Sequence, residues 1–122
     1  MKGIVCTTED ELEIRDFAEP LHKTLGEAVG GWIEIVHPVG MKRPFVMIVN
    51  EEGLLIDLDI NALGSFLYGT LAHGNPIVGD IVIMKEGFVD GEPDIVGLTD
   101  QEADALMDLF KKTLVRHNER SN

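Results

Sequence analysis

Histidines and carboxylates, the usual metal ligands, are scattered along this chain rather than clustered. The four histidines are His22, His37, His73 and His117. No two of them have the i, i+4 spacing that brings two rings together on one helix face. Asp57 and Asp59 alternate on a predicted strand, but they offer only two converging side chains, and no twelve-residue calcium loop is present. The sequence therefore predicts no metal site.

Groups suited to nucleophilic catalysis are equally isolated. Ser65 and Ser121 stand outside any G-x-S-x-G elbow. The glycines at 26–31 lack both the preceding strand and the spacing of a dinucleotide-binding loop. Cys6 ends the apolar run Ile4-Val5-Cys6, which predicts a buried and unreactive thiol. We therefore expect a protein that is not an enzyme and needs no cofactor.

Side chains suited to binding are easier to find. Trp32, the only tryptophan, follows two glycines, and it either caps the hydrophobic core or stacks on a base or a protein partner. Lys42 and Arg43 form a basic pair in a predicted loop near Trp32, where they can hold a phosphate. Tyr68, on a short predicted helix, is open to the same two interpretations as Trp32. Asn61, which begins that helix, completes this candidate ligand-binding set.

The chain is strongly acidic, with 22 acidic against 10 basic residues and a formal net charge of −12. Such a charge opposes direct binding to nucleic acid, which needs clustered lysine and arginine. Residues 86–110 contain acids and no base, and they supply a candidate acidic interaction surface made of Glu92, Asp94, Asp100, Asp104 and Asp108. A surface of one sign either attracts a basic partner or simply keeps the protein soluble.

Hydrophobic periodicity predicts an α+β fold with a mostly antiparallel sheet of about five to six strands and two to three helices, including a long C-terminal helix. Strands are predicted at 2–6, 11–17, 32–36, 45–49, 54–58 and 77–84, with a hairpin turn at 50–53. Residues 86–97 are predicted as an acidic loop that can hold one short strand. Helices are predicted from Pro20 to Gly30, from Asn61 with an apolar face of Leu63, Phe66, Leu67, Thr70 and Leu71, and from Thr99. Thr99 and Glu102 form a capping box, and Ala103, Leu106, Met107, Phe110 and Leu114 follow as one apolar stripe.

These elements predict one α+β domain over residues 1–122, with a frayed tail at 118–122. No apolar run reaches the length of a membrane span, and residues 1–3 lack the layout of a signal peptide. A single cysteine excludes an internal disulfide and suits a reducing compartment. We therefore expect a cytoplasmic protein without membrane contact.

Four short motifs resemble a known family. They are Gly30-Gly31-x-Ile33-Glu34, Asn50-Glu51-Glu52-Gly53, Asn61 at the start of the short helix, and Ile77-x-Gly79. In combination they resemble small proteins of phages, plasmids and integrated elements that carry a domain of unknown function. The resemblance runs from the first strand to about Met84, and it leaves the acidic loop and the last helix outside. It implies an accessory gene of a mobile element in a bacterial host, where small non-enzymatic antagonists of host defence are frequent.

Three functions remain open on this basis. The first is a host-defence antagonist that binds and sequesters a small nucleotide signal, working as a homo-oligomer with sites shared between chains. The second is an acidic mimic of nucleic acid that binds a protein partner, in the basic groove of a nuclease or a guided effector. The third is a structural or regulatory protein.

Overall fold

The computed structural model describes residues 1–116 in full and residues 117–121 only as the end of the last helix. In chain order the elements are β1 (Lys2–Cys6), β2 (Leu12–Asp16), α1 (Leu21–Val29), β3 (Ile33–Val36), β4 (Phe45–Asn50), α2 (Ala62–Tyr68), α3 (Thr70–His73), β5 (Ile81–Val89), β6 (Glu92–Val96) and α4 (Asp100–Ser121). The predicted α+β class with a long C-terminal helix is confirmed. The frayed tail predicted at 118–122 lies outside the fully described residues.

All six strands form one antiparallel sheet built around β5. The order is β2-β1-β5-β4-β3, and β6 pairs with β5 as well. Since β5 has 9 residues, β1 pairs with its first part and β6 with its second part along the same side. This arrangement leaves β2 and β3 at the two ends of the strand order.

Each face of the sheet carries its own hydrophobic core. Helices α2 and α4 cover one face, and helix α1 covers the other. Strand β4 contributes side chains to both cores, because successive side chains of a strand point to opposite faces of the sheet. Met47 packs below α2 and α4, whereas Val46 and Ile48 pack below α1, and all three are fully buried.

The ends of the two longer helices follow the sequence closely. Helix α1 starts after Pro20 and ends at Gly30, whose φ of 85° is the left-handed conformation that glycine tolerates. At the start of α4, the Thr99 hydroxyl accepts a bond from the Glu102 N–H (3.1 Å), and the Glu102 carboxylate accepts one from the Thr99 N–H (2.9 Å). The predicted capping box is confirmed. The apolar stripe of α4 packs into the core as expected, with Phe110 fully buried.

The strand predicted at 54–58 is wrong. Residues 51–57 form consecutive turns instead, and Leu55 is 85% exposed. The reason is that backbone groups are satisfied within the segment, since the Ile56 N–H donates to the Glu52 carbonyl (3.0 Å). Asp57 then takes a left-handed conformation (φ 60°), which breaks an extended path.

The short helix predicted from Asn61 is two helices, because Gly69 (φ 87°) ends α2 and α3 begins directly after it. Its predicted apolar face is only partly correct. Leu63 and Leu67 are buried, whereas Phe66 and Leu71 point to solvent.

The predicted acidic loop at 86–97 is a hairpin. Strand β5 begins at Ile81 rather than at residue 77 and continues to Val89, where it turns into β6. Asp90 and Gly91 both have positive φ (51° and 79°), the conformation of a two-residue type I′ turn.

Candidate functional site

Trp32 is a large apolar side chain held in solvent by a fixed backbone. Its side chain is 75% exposed, so it does not cap either core. On one side, the N–H groups of Gly30 and Gly31 both donate to the Gly26 carbonyl (2.8 and 3.0 Å), which closes the end of α1. On the other side, the Trp32 carbonyl accepts a bond from the Glu51 N–H (2.8 Å). The backbone of Trp32 is therefore held between the end of α1 and the start of β3, and the indole projects from it into solvent.

Trp32 forms one wall of an open groove of about 610 Å³, named here the Trp32 groove. It is lined by His22, Lys23, Gly26, Glu27, Gly30, Gly31, Trp32, Ile33 and Glu51. Gly26, Gly30 and Gly31 contribute only backbone to its floor. A Cβ on Gly31 would lie 3.0 Å from the amide nitrogen of the buried Asn50, so this position has no room for a side chain. An indole wall, a glycine floor and an exposed lysine at the rim suit a flat ring that carries negative charge.

Asn50 fixes this floor from inside the protein. It is buried, its amide nitrogen donates to the Val29 carbonyl (3.1 Å), and its amide oxygen accepts from the Glu52 N–H (2.8 Å). These two bonds join the end of α1 to the turn after β4. Sequence reasoning assigned Asn50 to a hairpin turn and overlooked this role, although an asparagine that ends an apolar strand is a recognisable position for such a bond.

Lys23 and His22 were also overlooked as groove residues. Both are exposed, whereas Leu25 and Val29 are buried. Helical periodicity places Lys23 on the side away from these two residues, and His22 is exposed in the first turn although its spacing puts it on their side. The sequence does not show that either residue borders Trp32. That neighbourhood depends on how α1 folds back over β3.

Lys42 and Arg43 are exposed, as predicted, in the loop between β3 and β4. The structure places them away from Trp32, so the expected proximity within one chain is wrong. Ile33 pairs with Asn50 and Val36 with Met47, which puts Trp32 at one end of the β3–β4 pair and the basic pair at the other.

The other two members of the predicted ligand set occupy separate places. Asn61 is fully buried, and its amide nitrogen donates to the carbonyls of Cys6 and Gly79 (both 3.0 Å). Its amide oxygen accepts from the Gly64 N–H (2.8 Å), so the whole side chain serves the fold. Tyr68 stacks on His73 with ring centroids 4.1 Å apart, and it lines a different cavity of about 140 Å³.

The candidate acidic surface is divided between α4 and β6. Asp100, Asp104 and Asp108 are exposed at four-residue spacing and form one acidic stripe along α4. Asp100 pairs with Lys2 and Asp108 with Lys112 (2.9 Å), so part of this charge is compensated. Asp100, then Asp16 and Asp104, raise the pKa of Lys2. Asp16 itself pairs with the N-terminal ammonium (2.6 Å). Glu92 and Asp94 are exposed on β6.

A comparison with protein-family models decides which family this fold represents. The model of a domain of unknown function, DUF3846, matches residues 1–111. The chain belongs to the DUF3846 family. No curated protein and no solved structure matches it.

The DUF3846 match contains all six strands and most of α4. The expectation that the resemblance ends near Met84 is therefore wrong, since the acidic segment and the last helix lie inside the family region. The structure gives the reason, because α4 supplies Ala103, Leu106 and Phe110 to one of the two cores. Both the Trp32 groove and the acidic stripe are features of the DUF3846 domain itself.

The described part of this DUF3846 domain also contains histidines, carboxylates and one thiol outside the Trp32 groove. No group of three or more histidine, cysteine, aspartate or glutamate residues there is arranged to hold a metal ion. Burial raises the pKa of the Cys6 thiol to about 12, so it stays protonated at neutral pH. Among the described helices, none has both the length and the apolar composition needed to cross a bilayer.

Proposed function

We propose that this DUF3846 protein is a non-enzymatic binding protein that holds a small nucleotide in the Trp32 groove. In a phage or mobile element it would withdraw that nucleotide from a host defence system. The observation that carries the proposal is Trp32 itself, an indole that is 75% exposed on a backbone fixed at both sides. A base stacked on an aromatic ring gains about 1–3 kcal/mol, and a backbone that is already held in place loses little entropy on binding.

The charges beside the ring indicate how a nucleotide would lie. Lys23 and His22 border the groove on the α1 side, and a lysine ammonium is a suitable point charge for a phosphate. Glu27 and Glu51 border the same groove and repel a phosphate placed against them. We therefore expect the base on Trp32 and the phosphate directed away from both glutamates.

Titration of the intrinsic fluorescence tests this proposal directly, because Trp32 is the only tryptophan in the chain. A panel of cyclic nucleotides and ADP-ribose derivatives should contain a ligand that quenches Trp32 with an affinity of tens of micromolar or better. Calorimetry on Trp32→Ala should then show binding weakened at least about tenfold, the equivalent of 1.4 kcal/mol. The nucleotide recovered after incubation should be chemically unchanged.

Phe88 offers a matched control, since it is another aromatic residue of similar exposure (77%) that lies outside the groove. Phe88→Ala should bind the same nucleotide as the unmodified protein does. The proposal fails if no member of the panel binds, or if Trp32→Ala and Phe88→Ala bind equally well.

The acidic stripe supports a second candidate, an inhibitor that occupies a basic groove of a nuclease. The favouring observation is that three aspartates of one helix face are exposed together. A panel of purified restriction and guide-dependent nucleases, assayed at low and high salt, tests it. Inhibition should weaken with salt and disappear when Asp100, Asp104 and Asp108 are changed to Asn, since screened charges lose their reach.

A further inference from the structure

The outer edge of β3 is open. The Glu51 N–H donates to the Trp32 carbonyl, so Trp32 turns its backbone groups toward β4. In an antiparallel pair this orientation alternates, so Glu34 also faces β4, and Ile33 and Ile35 face outward. Among the described residues, no hydrogen bond reaches these outward groups.

The two outer strands differ in how they are protected against pairing. Strand β2 carries Glu13, Arg15 and Asp16, and charged side chains on an edge oppose the addition of another strand. Strand β3 has the sequence IEIV, with Glu34 as its single charge and Ile35 41% exposed. An open edge with exposed isoleucine is the kind of edge that another strand joins.

The charges at the two ends of β3 identify a second copy of this chain as the partner. Glu27 and Glu51 lie with Trp32 at one end, and Lys42 and Arg43 lie in the loop at the other end. Antiparallel pairing of two β3 strands places the acidic end of each copy against the basic end of the other. A two-fold axis makes both contacts identical.

The alternation of outward groups excludes a symmetric register centred between two residues. The two arrangements nearest the middle of β3 are centred on Glu34 or on Ile35. The first sets Glu34 directly opposite Glu34 of the partner subunit, which repels. The second sets Ile35 opposite Ile35 of the partner subunit and covers both exposed side chains. In that register Trp32 lies opposite Pro38 of the partner subunit, at the start of the loop that carries the basic pair.

We propose that two copies pair through β3 in this register and share two nucleotide sites. In each site Trp32 of one copy stacks on the base, and Lys42 and Arg43 of the partner subunit hold the phosphates of a nucleoside diphosphate. The sharing of the site rests on the proposed function, whereas the pairing of β3 does not. Trp32 and the basic pair lie at opposite ends of the β3–β4 pair within one chain, and the dimer brings Trp32 of one copy next to the basic pair of the other.

Sedimentation equilibrium tests the pairing without any ligand. The unmodified protein should have twice the mass of 13.4 kDa, and Ile35→Lys should be a monomer with an unchanged circular dichroism spectrum. Ile14→Lys is the matched control, because Ile14 is 37% exposed on the other outer strand, and it should remain a dimer. A monomeric unmodified protein, or a dimeric Ile35→Lys variant, overturns the pairing.

Oxidation of a single introduced cysteine tests the register. Ile35→Cys should form a covalent dimer, since directly opposite residues of an antiparallel pair lie within disulfide distance. Ile14→Cys should migrate as a monomer on the same non-reducing gel. Cys6 is buried and does not interfere. A dimer band for Ile14→Cys but not for Ile35→Cys contradicts the assignment.

Mixing of two inactive variants tests the shared site, with ADP-ribose as the probe. Trp32→Ala and Arg43→Ala should each bind at least tenfold more weakly than the unmodified protein. After the two are unfolded and refolded together, about a quarter of the sites should bind normally, because each mixed dimer contains one intact site. If the unmodified protein binds but the mixture does not, the shared site is wrong while the proposed function stands. If no nucleotide binds the unmodified protein, the proposed function and the shared site both fail.

Discussion

At the scale of single residues, Asn61 is the most constrained polar group in the fold. Its three hydrogen bonds join α2, the end of β1 and the segment before β5, all without contact to water. Asn61→Ala removes a hydrogen-bond partner from two buried carbonyls and one N–H, so we predict a loss of about 3 kcal/mol in the free energy of unfolding. Urea denaturation followed by circular dichroism measures it.

Asn75→Ala is the control for this substitution, because Asn75 is exposed and makes no side-chain hydrogen bond among the described residues. Its free energy of unfolding should change by less than about 0.5 kcal/mol. If both variants change the free energy of unfolding equally, the hydrogen bonds of Asn61 do not stabilise the fold as proposed.

The Cys6 thiol gives a prediction about alkaline pH. Burial raises its pKa in the folded state to about 12 from an ordinary value of 9.0. Above pH 9 the unfolded chain therefore holds fewer protons at this site than the folded chain, and ionisation favours unfolding. Stability should fall by up to about 1.4 kcal/mol per pH unit between pH 9 and 12 relative to Cys6→Ala. Comparison of urea midpoints for the two proteins at pH 8, 9 and 10 checks this, and parallel curves would contradict it.

The sequence indicated Trp32 as a candidate contact residue but did not identify its neighbours. A lone tryptophan after two glycines is visible without a structure, and so is the charge of Lys42 and Arg43. Their separation is set by the pairing of Ile33 with Asn50, which requires the register of β3 and β4. Lys23 was missed for a related reason, because its distance from Trp32 depends on the packing of α1 against the sheet.

At the scale of secondary structure, the start of α4 depends on Glu102. Its carboxylate accepts hydrogen bonds from the Lys85 ammonium (2.7 Å) and the Thr99 N–H (2.9 Å). The Lys85 ammonium first, and then the Thr99 N–H, hold the pKa of Glu102 below its ordinary value of 4.5. We predict that Glu102→Gln lowers the free energy of unfolding by about 1 kcal/mol at pH 7.

The same substitution should show a defined pH dependence. Since the folded-state pKa is depressed, the contribution of Glu102 is complete above pH 4.5 and is lost as the pH falls through the folded-state value. The difference between Glu102→Gln and the unmodified protein should therefore narrow as pH falls from 5 to 3. Thermal unfolding of each protein at pH 5, 4 and 3 measures this difference. Glu92→Gln, a change at an exposed glutamate of β6, should show no such narrowing.

Elements with chemical start and stop markers were predicted well, and those with only a hydrophobic pattern were not. Pro20, Gly30 and Thr99 mark helix ends by their own conformational preferences, and the structure confirms them. Residues 54–58 are apolar enough for a strand, yet local hydrogen bonds turn the chain and expose them. The β5–β6 hairpin was missed because its acidic composition concealed the Asp90-Gly91 turn, which is itself a strong hairpin marker.

At the scale of the whole molecule, the net charge of −12 opposes folding through self-repulsion. The ion pairs in the described residues are mostly exposed, and exposed pairs are weak because water and salt screen them. We therefore expect salt to stabilise the fold, because screening the repulsion should raise the free energy of unfolding by more than screening these ion pairs lowers it. Raising NaCl from 0.01 M to 1 M, which shortens the Debye length from about 30 Å to about 3 Å, should raise the melting temperature by several degrees.

The acidic stripe should account for part of this salt effect. Changing Asp100, Asp104 and Asp108 to Asn removes three negative charges, so the variant should melt at a higher temperature in 0.01 M NaCl and gain less from added salt. A matched variant with Lys23, Lys42 and Lys111 changed to Gln should melt lower in 0.01 M NaCl and gain more. Differential scanning calorimetry of the three proteins decides the point. A melting temperature that falls with salt in the unmodified protein would mean that local pairs such as Lys2–Asp100 outweigh the net charge. If the acidic stripe lowers the stability of the fold in this way, its charges do not serve folding. That result is expected of a surface whose role is to bind a basic partner.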